Sequence, residues 1–399
     1  MGVDSFQMHA DTSWREIRYP DSGGLIDGDD IQSLTDHLRS VADGCGSFFP
    51  QPEEAIFQRM LAAREGVRNC VAVTSCGTAL DACLALLDIG PQDEVITTPL
   101  TFIATVTAPL LRGAKVVLAD IDDATLNLDP ARVRERISSR TRCILPVHFA
   151  GLPCDVEAFE MLSRQTGIPV VYDSAHAIGV KIGGRPLASY GLASCYSFQF
   201  NKLMTCLGEG GAVMTNDDEF AERVRQLRTF GFVYPDKSTY DGGDVVSIGT
   251  NYQMNKMQYV AGITQLRKLD DVLARRRALL SHLDSVLAGT KGLHLPVGHG
   301  ASHGSLHYII RVDRKHTGLD GQALRTTLRD RFGVHTRVHY PPVWTWSIMR
   351  SLGYDGTGCP VAAHICQDLV TLPISPAMSI DDCDYIANAL RRCLRGDTL

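Results

Sequence analysis

The chain has 399 residues, of which 44% are hydrophobic and 21% charged, and a formal net charge of -6. That is long and apolar enough for one large core plus a smaller second lobe, and it excludes a disordered chain. The mild acidity excludes the electrostatic footprint of a nucleic-acid binder, and no uninterrupted apolar run is long enough to span a bilayer.

Residues 1 to 18 are polar and lack the basic start, apolar middle and cleavage site of a secretory signal. Residues 1 to about 30 read as an arm, rich in Gly and Asp around Ser22-Gly23-Gly24. A helical pattern runs from 30 to about 41, a Gly/Pro-rich stretch covers 43–52, and a second helix covers 53–64. From Asn69 short apolar runs alternate with helical patterns. Residues 71–74 read as a strand. Residues 78–87 read as a helix, because Leu80, Cys83, Leu84 and Leu87 recur at i, i+3, i+4 and i+7. Further strands are read at 94–98, 115–119, 143–147, 170–172, 194–198 and 211–215. The alternation predicts a mostly parallel sheet covered on both faces, with ligands beyond its strand ends. A charged helix then runs from 216 to about 230, a polar, mobile loop from 234 to 244, and a long helix from 257 to 286. Beyond about 292, a strand (306–312) and helices (321–331, 381–394) read as a smaller α+β unit. The domain reading is an arm at 1–30, a large domain at 31–270 and a small domain at 271–399.

The 12 cysteines are irregularly spaced and form no C-x-x-C pair; Cys83, Cys143 and Cys195 fall inside apolar runs. They read as reduced core residues of a cytosolic protein. The 13 histidines show no H-E-x-x-H or similar spacing, so no metal site is expected.

The chemistry centres on Lys202, in Ser197-Phe198-Gln199-Phe200-Asn201-Lys202, ahead of Gly208-Glu209-Gly210-Gly211. Most lysines are solvated, but this one lies among Phe198, Phe200, Leu203 and Met204. Apolar surroundings lower an amine's pKa and favour its nucleophilic neutral form. Upstream, Asp173 closes a strand in Val171-Tyr172-Asp173-Ser174-Ala175-His176. A lysine that condenses with an aldehyde and an acid that holds a proton on a pyridine nitrogen are what pyridoxal 5'-phosphate (PLP) requires. Thr74-Ser75-Cys76-Gly77-Thr78-Ala79 joins a strand to a helix, whose N-terminus suits a phosphate. Gly77 permits close backbone approach, and Thr78 and Ser197 add hydroxyls. An ordinary N-cap is the plainer reading of that loop alone. His176 fits the cofactor's phenolic oxygen or a structural role, and Phe102 fits ring stacking or the core. No G-x-G-x-x-G follows the first strand, which argues against a nucleotide-binding dehydrogenase.

The order of these parts resembles the fold-type I PLP enzymes and, more closely, the DegT/DnrJ/EryC1/StrS family of sugar and cyclitol aminotransferases. The resemblance covers about 25 to 376. It rests on Cys76-Gly77-Thr78-Ala79-Leu80, Asp93-Glu94-Val95-Ile96, Thr101-Phe102-Ile103-Ala104-Thr105 and Pro146-Val147-His148-Phe149-Ala150-Gly151. It continues through Asp173-Ser174-Ala175-His176-Ala177, the Lys202 segment and Gly249-Thr250-Asn251-Tyr252.

The resemblance implies an α/β fold with a mostly parallel seven-stranded sheet in the large domain. It implies a Schiff base on Lys202, a ring-nitrogen contact from Asp173, a phenolic-oxygen contact from His176 and stacking by Phe102. Phosphate would be held by Gly77, Thr78 and Ser197, with Asn251 reaching the neighbouring subunit's phosphate in a homodimer with shared sites. Two departures stand out: Gln253 replaces a family arginine, and Trp344, in Tyr340-Pro341-Pro342-Val343-Trp344, replaces a frequent histidine. Residues 198–205 also resemble 3-amino-5-hydroxybenzoate synthases. The reading is therefore a cytoplasmic aminotransferase passing an amino group from Glu or Gln to a keto-sugar or keto-cyclitol, in amino-sugar or antibiotic biosynthesis. The 234–244 loop and the 339–344 segment are expected to shape acceptor choice. Alternatives are a PLP-dependent dehydratase, a 3-amino-5-hydroxybenzoate synthase-like enzyme and a non-catalytic PLP-binding regulator. Retention of Lys202 argues against a dehydratase, whose relatives carry histidine there.

Overall fold

The computed structural model describes residues 15–233, 242–298 and 303–396. Seven strands build the central sheet: β1 (Asn69–Val73), β2 (Glu94–Thr97), β3 (Lys115–Leu118), β4 (Thr141–Leu145), β5 (Val171–Asp173), β6 (Ala193–Ser197) and β7 (Gly211–Thr215). Their order is β3-β2-β4-β5-β6-β7-β1, with β4 joined to β5 by the bridges Ile144↔Val170 and Val147↔Asp173. All neighbours are parallel except β7, which runs antiparallel to both β6 and β1. Most strand residues are buried, so the strands read as continuous apolar runs and not as alternating ones.

The helices follow the sequence signals closely. They include α1 (Gly28–Ala42), α2 (Glu53–Arg64), α3 (Cys76–Leu86), α4 (Ala104–Leu111), α5 (Pro130–Arg136), α6 (Val156–Thr166) and α7 (Asp218–Leu227). The α1 helix starts two residues before its expected first turn, because Asp27 caps it and Asp30 closes a capping box. The α7 helix buries Phe220, Ala221, Val224 and Leu227, one stripe at helical spacing, and Asp217 Oδ1 caps it by accepting from the Phe220 N–H at 2.9 Å.

The long helix α8 (Lys256–Leu287) belongs to two cores. Its first half, Tyr259 to Leu273, packs with Phe57, Tyr196, Phe198 and Met204. Its second half, Leu279 to Leu287, packs against a small sheet of β8 (Leu293–His294), β9 (Tyr308–Val312) and β10 (Leu369–Leu372) and against α9 (Gly321–Phe332) and α10 (Ile380–Arg395). Between them Arg276 is fully buried. Its guanidinium donates to the carbonyls of Ser305 (2.8 Å), Leu306 (2.7 Å), Gly23 (3.1 Å) and Ile374 (3.3 Å). Four carbonyl dipoles face its charge, and burial still depresses its pKa to about 10.

The described part of the arm is fastened at two points. Ile17 pairs with Val334 and enters the second core. Gly23 lies on the Lys202 segment so closely that a Cβ there would sit 2.5 Å from the Asn201 and Lys202 carbonyl oxygens. All twelve cysteines are free thiols. Eleven are buried, but Cys45 is exposed, which corrects its reading as a core residue: it sits in the irregular 43–52 stretch, where no element turns it inward. Of the polar 234–244 loop, 234–241 lie outside the described residues; Asp244–Val245 pairs with Phe232–Val233. Among the described residues no helix is long and apolar enough to cross a membrane.

Candidate active site

The carboxyl ends of β1, β2, β4, β5 and β6 open on one side of the sheet, and a cavity of about 350 Å³ lies beyond them. Gly77, Phe102, Asp173, His176, Ser197 and Lys202 all line it.

At the end of β1 the chain turns into α3. The Ser75 hydroxyl accepts the Thr78 N–H at 3.1 Å and the Thr78 hydroxyl accepts the Ser75 N–H at 3.0 Å, a reciprocal cap. Thr78 also donates its hydroxyl to the Ser75 carbonyl at 2.8 Å and does not line the cavity. The hydroxyl that does line it is that of Ser75, which the sequence reading passed over. Gly77 is explained neither by backbone strain nor by packing: a Cβ there would meet nothing nearer than Ser75 Oγ at 3.6 Å. Gly211, at the start of β7, is a packing requirement, since a Cβ there would lie 2.3 Å from the Ser75 carbonyl carbon.

Asp173 ends β5 and is buried. Its Oδ2 accepts the Thr105 hydroxyl at 2.8 Å, and its Oδ1 accepts the Ala175 N–H at 3.1 Å and the Cys76 thiol at 3.7 Å. Thr101 and Thr105 hydroxyls are 2.7 Å apart, so a hydroxyl chain runs from the cavity wall to the carboxylate. Burial raises the Asp173 pKa; these donors and the Lys202 charge oppose it. The pair Thr101 and Thr105, four residues apart at a helix start, was the sequence signal for this support.

Lys202 sits in a loop after β6 that folds back on itself. Phe198 N–H donates to the Gly210 carbonyl (2.8 Å), Cys206 N–H to the Phe198 carbonyl (3.0 Å) and Lys202 N–H to the Gln199 carbonyl (2.9 Å). Leu203, Met204 and Cys206 anchor the loop in the core. Lys202 is only 9% exposed, which rules out a solvated surface lysine. Among the described residues its amine has no hydrogen bond or ion pair, and it faces the cavity. Burial lowers its pKa, and Asp173 is the leading opposing charge.

The remaining wall is aromatic. His176, His339 and Tyr340 line the cavity, and Phe102 stands 53% exposed at its rim, 5.8 Å from the Tyr340 ring. Burial keeps His176 far below the ordinary imidazole range and His339 down to about 3, so both are neutral. Asn251 is exposed and does not line this cavity; its Oδ1 accepts the Gln253 N–H at 3.1 Å. Gln253 and Trp344 stay out of the cavity too, and Trp344 packs over Gly356.

These residues fit PLP. The unfilled cradle at Gly77 lies at the first turn of α3, whose free N–H groups suit a phosphate. The unpartnered Lys202 amine suits an aldehyde, and the buried Asp173 carboxylate suits a pyridinium. Nδ1 of His176 is buried without a partner.

A mostly parallel α/β sheet with this cavity at its strand ends defines a fold-type I PLP-dependent enzyme. Residues 28–391 match the model of the DegT/DnrJ/EryC1/StrS aminotransferase family. The chain belongs to that family and is a PLP-dependent aminotransferase. It is 34% identical over 384 residues to the spore coat polysaccharide biosynthesis protein SpsC of Bacillus subtilis, covering 94% of this chain and 97% of that one. The structure of S. venezuelae DesV, solved in complex with a ketimine intermediate, matches with a TM-score of 0.82 at 31% identity, over 92% and 94% of the two chains. The structure of 3-amino-5-hydroxybenzoic acid synthase matches with a TM-score of 0.83 at 25% identity, over 96% and 100%.

Proposed function

We propose that this enzyme moves an amino group from glutamate or glutamine to a ketone on a sugar or cyclitol, in amino-sugar or antibiotic biosynthesis. The observation that carries it is the unpartnered, buried Lys202 amine sharing one cavity with the buried Asp173 carboxylate. The polysaccharide biosynthesis for which SpsC is named supports a sugar acceptor. The match to 3-amino-5-hydroxybenzoic acid synthase supports a second reading, a carbocyclic acceptor without a nucleotide. The free thiols agree with a reducing cytoplasm.

PLP, when bound, supplies an aldehyde and an electron-accepting pyridine ring. Lys202 would hold the aldehyde carbon, and Asp173 would keep the ring nitrogen protonated. Thr105 and the Ala175 N–H orient that carboxylate. The first turn of α3, Gly77 and Ser197 would hold the phosphate, with the Thr78 hydroxyl fixing the turn. His176 would meet the phenolic oxygen and Phe102 would cover the ring. Once the donor amine had displaced it, Lys202 Nζ would accept the proton from the donor's α-carbon and pass it to the former aldehyde carbon of the cofactor. The reverse sequence serves the acceptor ketone. His339 and Tyr340 line the cavity and would shape acceptor choice.

We place a second copy of the chain beside this site as a homodimer partner. Asn251 is exposed and outside its own cavity, free to reach a neighbour's phosphate. Phe48, Phe200 and Leu207 are exposed beside Glu209 at the cavity mouth, an apolar surface that a partner would cover.

Two measurements test this. In single-turnover spectra, glutamate or glutamine is expected to convert the cofactor's visible band to that of pyridoxamine phosphate, and a keto-sugar or keto-cyclitol to restore it. No change with any amino acid refutes the transaminase reading. Separately, Gly77→Ala is expected to raise the Kd for PLP at least about tenfold by filling the cradle. The same change leaves the cofactor-free protein as stable or about 0.5–1 kcal/mol more so, since alanine suits a helix better. Unchanged PLP affinity moves the phosphate elsewhere.

A further inference from the structure

Behind the cavity wall lie the buried His307 and the half-buried Tyr19, two residues that the mechanism leaves unused. The His307 ring stacks on His339 with centroids 3.9 Å apart and an 18° tilt, and meets His176 edge to face at 5.1 Å and 84°. His307 does not line the cavity, whereas His176 and His339 do. On the far side, the Tyr19 hydroxyl lies 3.3 Å from Nδ1 of His307, and the Tyr19 ring lies 5.9 Å from that of His339. His339 Nδ1 meets the Thr371 hydroxyl at 3.1 Å.

We propose that Tyr19 and His307 are positioning residues: the Tyr19 hydroxyl donates to Nδ1 of His307, its proton stays on Nε2, and the fixed ring holds His176 edge-on and His339 face-on. This rests on the site described above and gives the arm a role in it.

Two stacked imidazoles at this distance cannot both carry charge. The charged groups acting on the three rings are Lys202, Arg276 and Arg337, all cations, and the neighbouring phenols are Tyr19 and Tyr340. Burial and these cations keep the rings neutral. A neutral imidazole has one donor and one acceptor nitrogen, so its tautomer decides what it offers. For His307 the Tyr19 hydroxyl makes that choice. For His176, Nδ1 is buried without a partner, so its ring is oriented by packing against His307 and against Tyr340 at 6.3 Å.

The test begins with histidine ¹⁵N NMR on the full-length protein without added cofactor. The expected result is His307 as the Nε2–H tautomer, lost as a single form in Tyr19→Phe. In the holoenzyme, Tyr19→Phe is expected to lower kcat about tenfold with KM within about twofold. A second pair separates positioning from packing. His307→Gln keeps an amide near the nitrogen, whereas His307→Phe keeps only the ring, so Gln is expected to retain more kcat than Phe. The proposal is overturned if His307 carries its proton on Nδ1, if Tyr19→Phe leaves kcat within about twofold, or if Phe serves as well as Gln. Failure of the site itself appears separately, as borohydride labelling of the wild type at a residue other than Lys202, with the imidazole spectra unaffected.

Discussion

Replacing Lys202 with alanine is expected to lower turnover by at least about 10⁴-fold while the protein keeps its fold. The size follows from the two tasks the amine would perform, covalent attachment and proton transfer at carbon, and among the described residues Lys202 is the one amine on the cavity wall. Gln199, Asn201 and Glu209 are the polar cavity residues on its loop, and none of them can form an imine. Borohydride reduction of the wild-type holoenzyme followed by peptide mapping is expected to label Lys202, and the alanine variant to take no label. Full activity in that variant, or a label elsewhere, removes the assigned role. The buried setting adds a pH signature. Burial holds the amine below the ordinary lysine range, so its neutral fraction exceeds that of a surface lysine at any pH where the two differ. The rate at which cofactor-free protein captures PLP is therefore expected to reach half its maximum below the pKa of an ordinary lysine.

Asp173→Asn is expected to lower kcat about 10²- to 10³-fold, the usual cost of losing one preorganised electrostatic partner. The amide oxygen can still accept the Ala175 N–H, and the NH2 group in the other position donates to the Thr105 hydroxyl, which turns to accept it, so the side chain keeps its place. The effect on stability runs the other way. Burial raises the folded pKa of Asp173 above its unfolded value. Such a group stabilises fully below the unfolded pKa and loses that contribution as pH rises through the folded pKa. In the cofactor-free protein the asparagine variant is thus expected to gain stability over wild type as pH climbs from about 4, the unfolded carboxyl value, towards neutrality. Urea unfolding at several pH values measures it. A variant that is less stable than wild type at every pH refutes the burial argument, and unchanged kcat refutes the ring-nitrogen assignment.

The elements were legible wherever one physical signal dominated. The central strands are buried apolar runs, α2 was read at its observed bounds, and α8 was read to within one residue at each end. The direction of β7 was not legible, because an apolar run has no polarity; its reversal comes from the short return through Gly208–Gly211 after the lysine loop. Gly77, Phe102, Asp173, His176, Ser197 and Lys202 were read from local motifs, and the structure brings them to one cavity. Their support was hidden by sequence distance. Thr105 reaches Asp173 across 68 positions and Tyr19 reaches His307 across 288. Thr78 lies outside the cavity because its hydroxyl closes a helix cap, a competing use of the same hydroxyl.

The 32-residue helix α8 passes unbroken through both cores. At 1.5 Å per residue it is a rod of about 48 Å. The two lobes cannot hinge apart without bending that rod, and Arg276, between the two cores, rivets it to Gly23, Ser305, Leu306 and Ile374. If that rod holds, the gap between Lys202 and the His339–Tyr340 side of the cavity would keep a fixed height, and an acceptor would be sorted by its fit to a rigid slot.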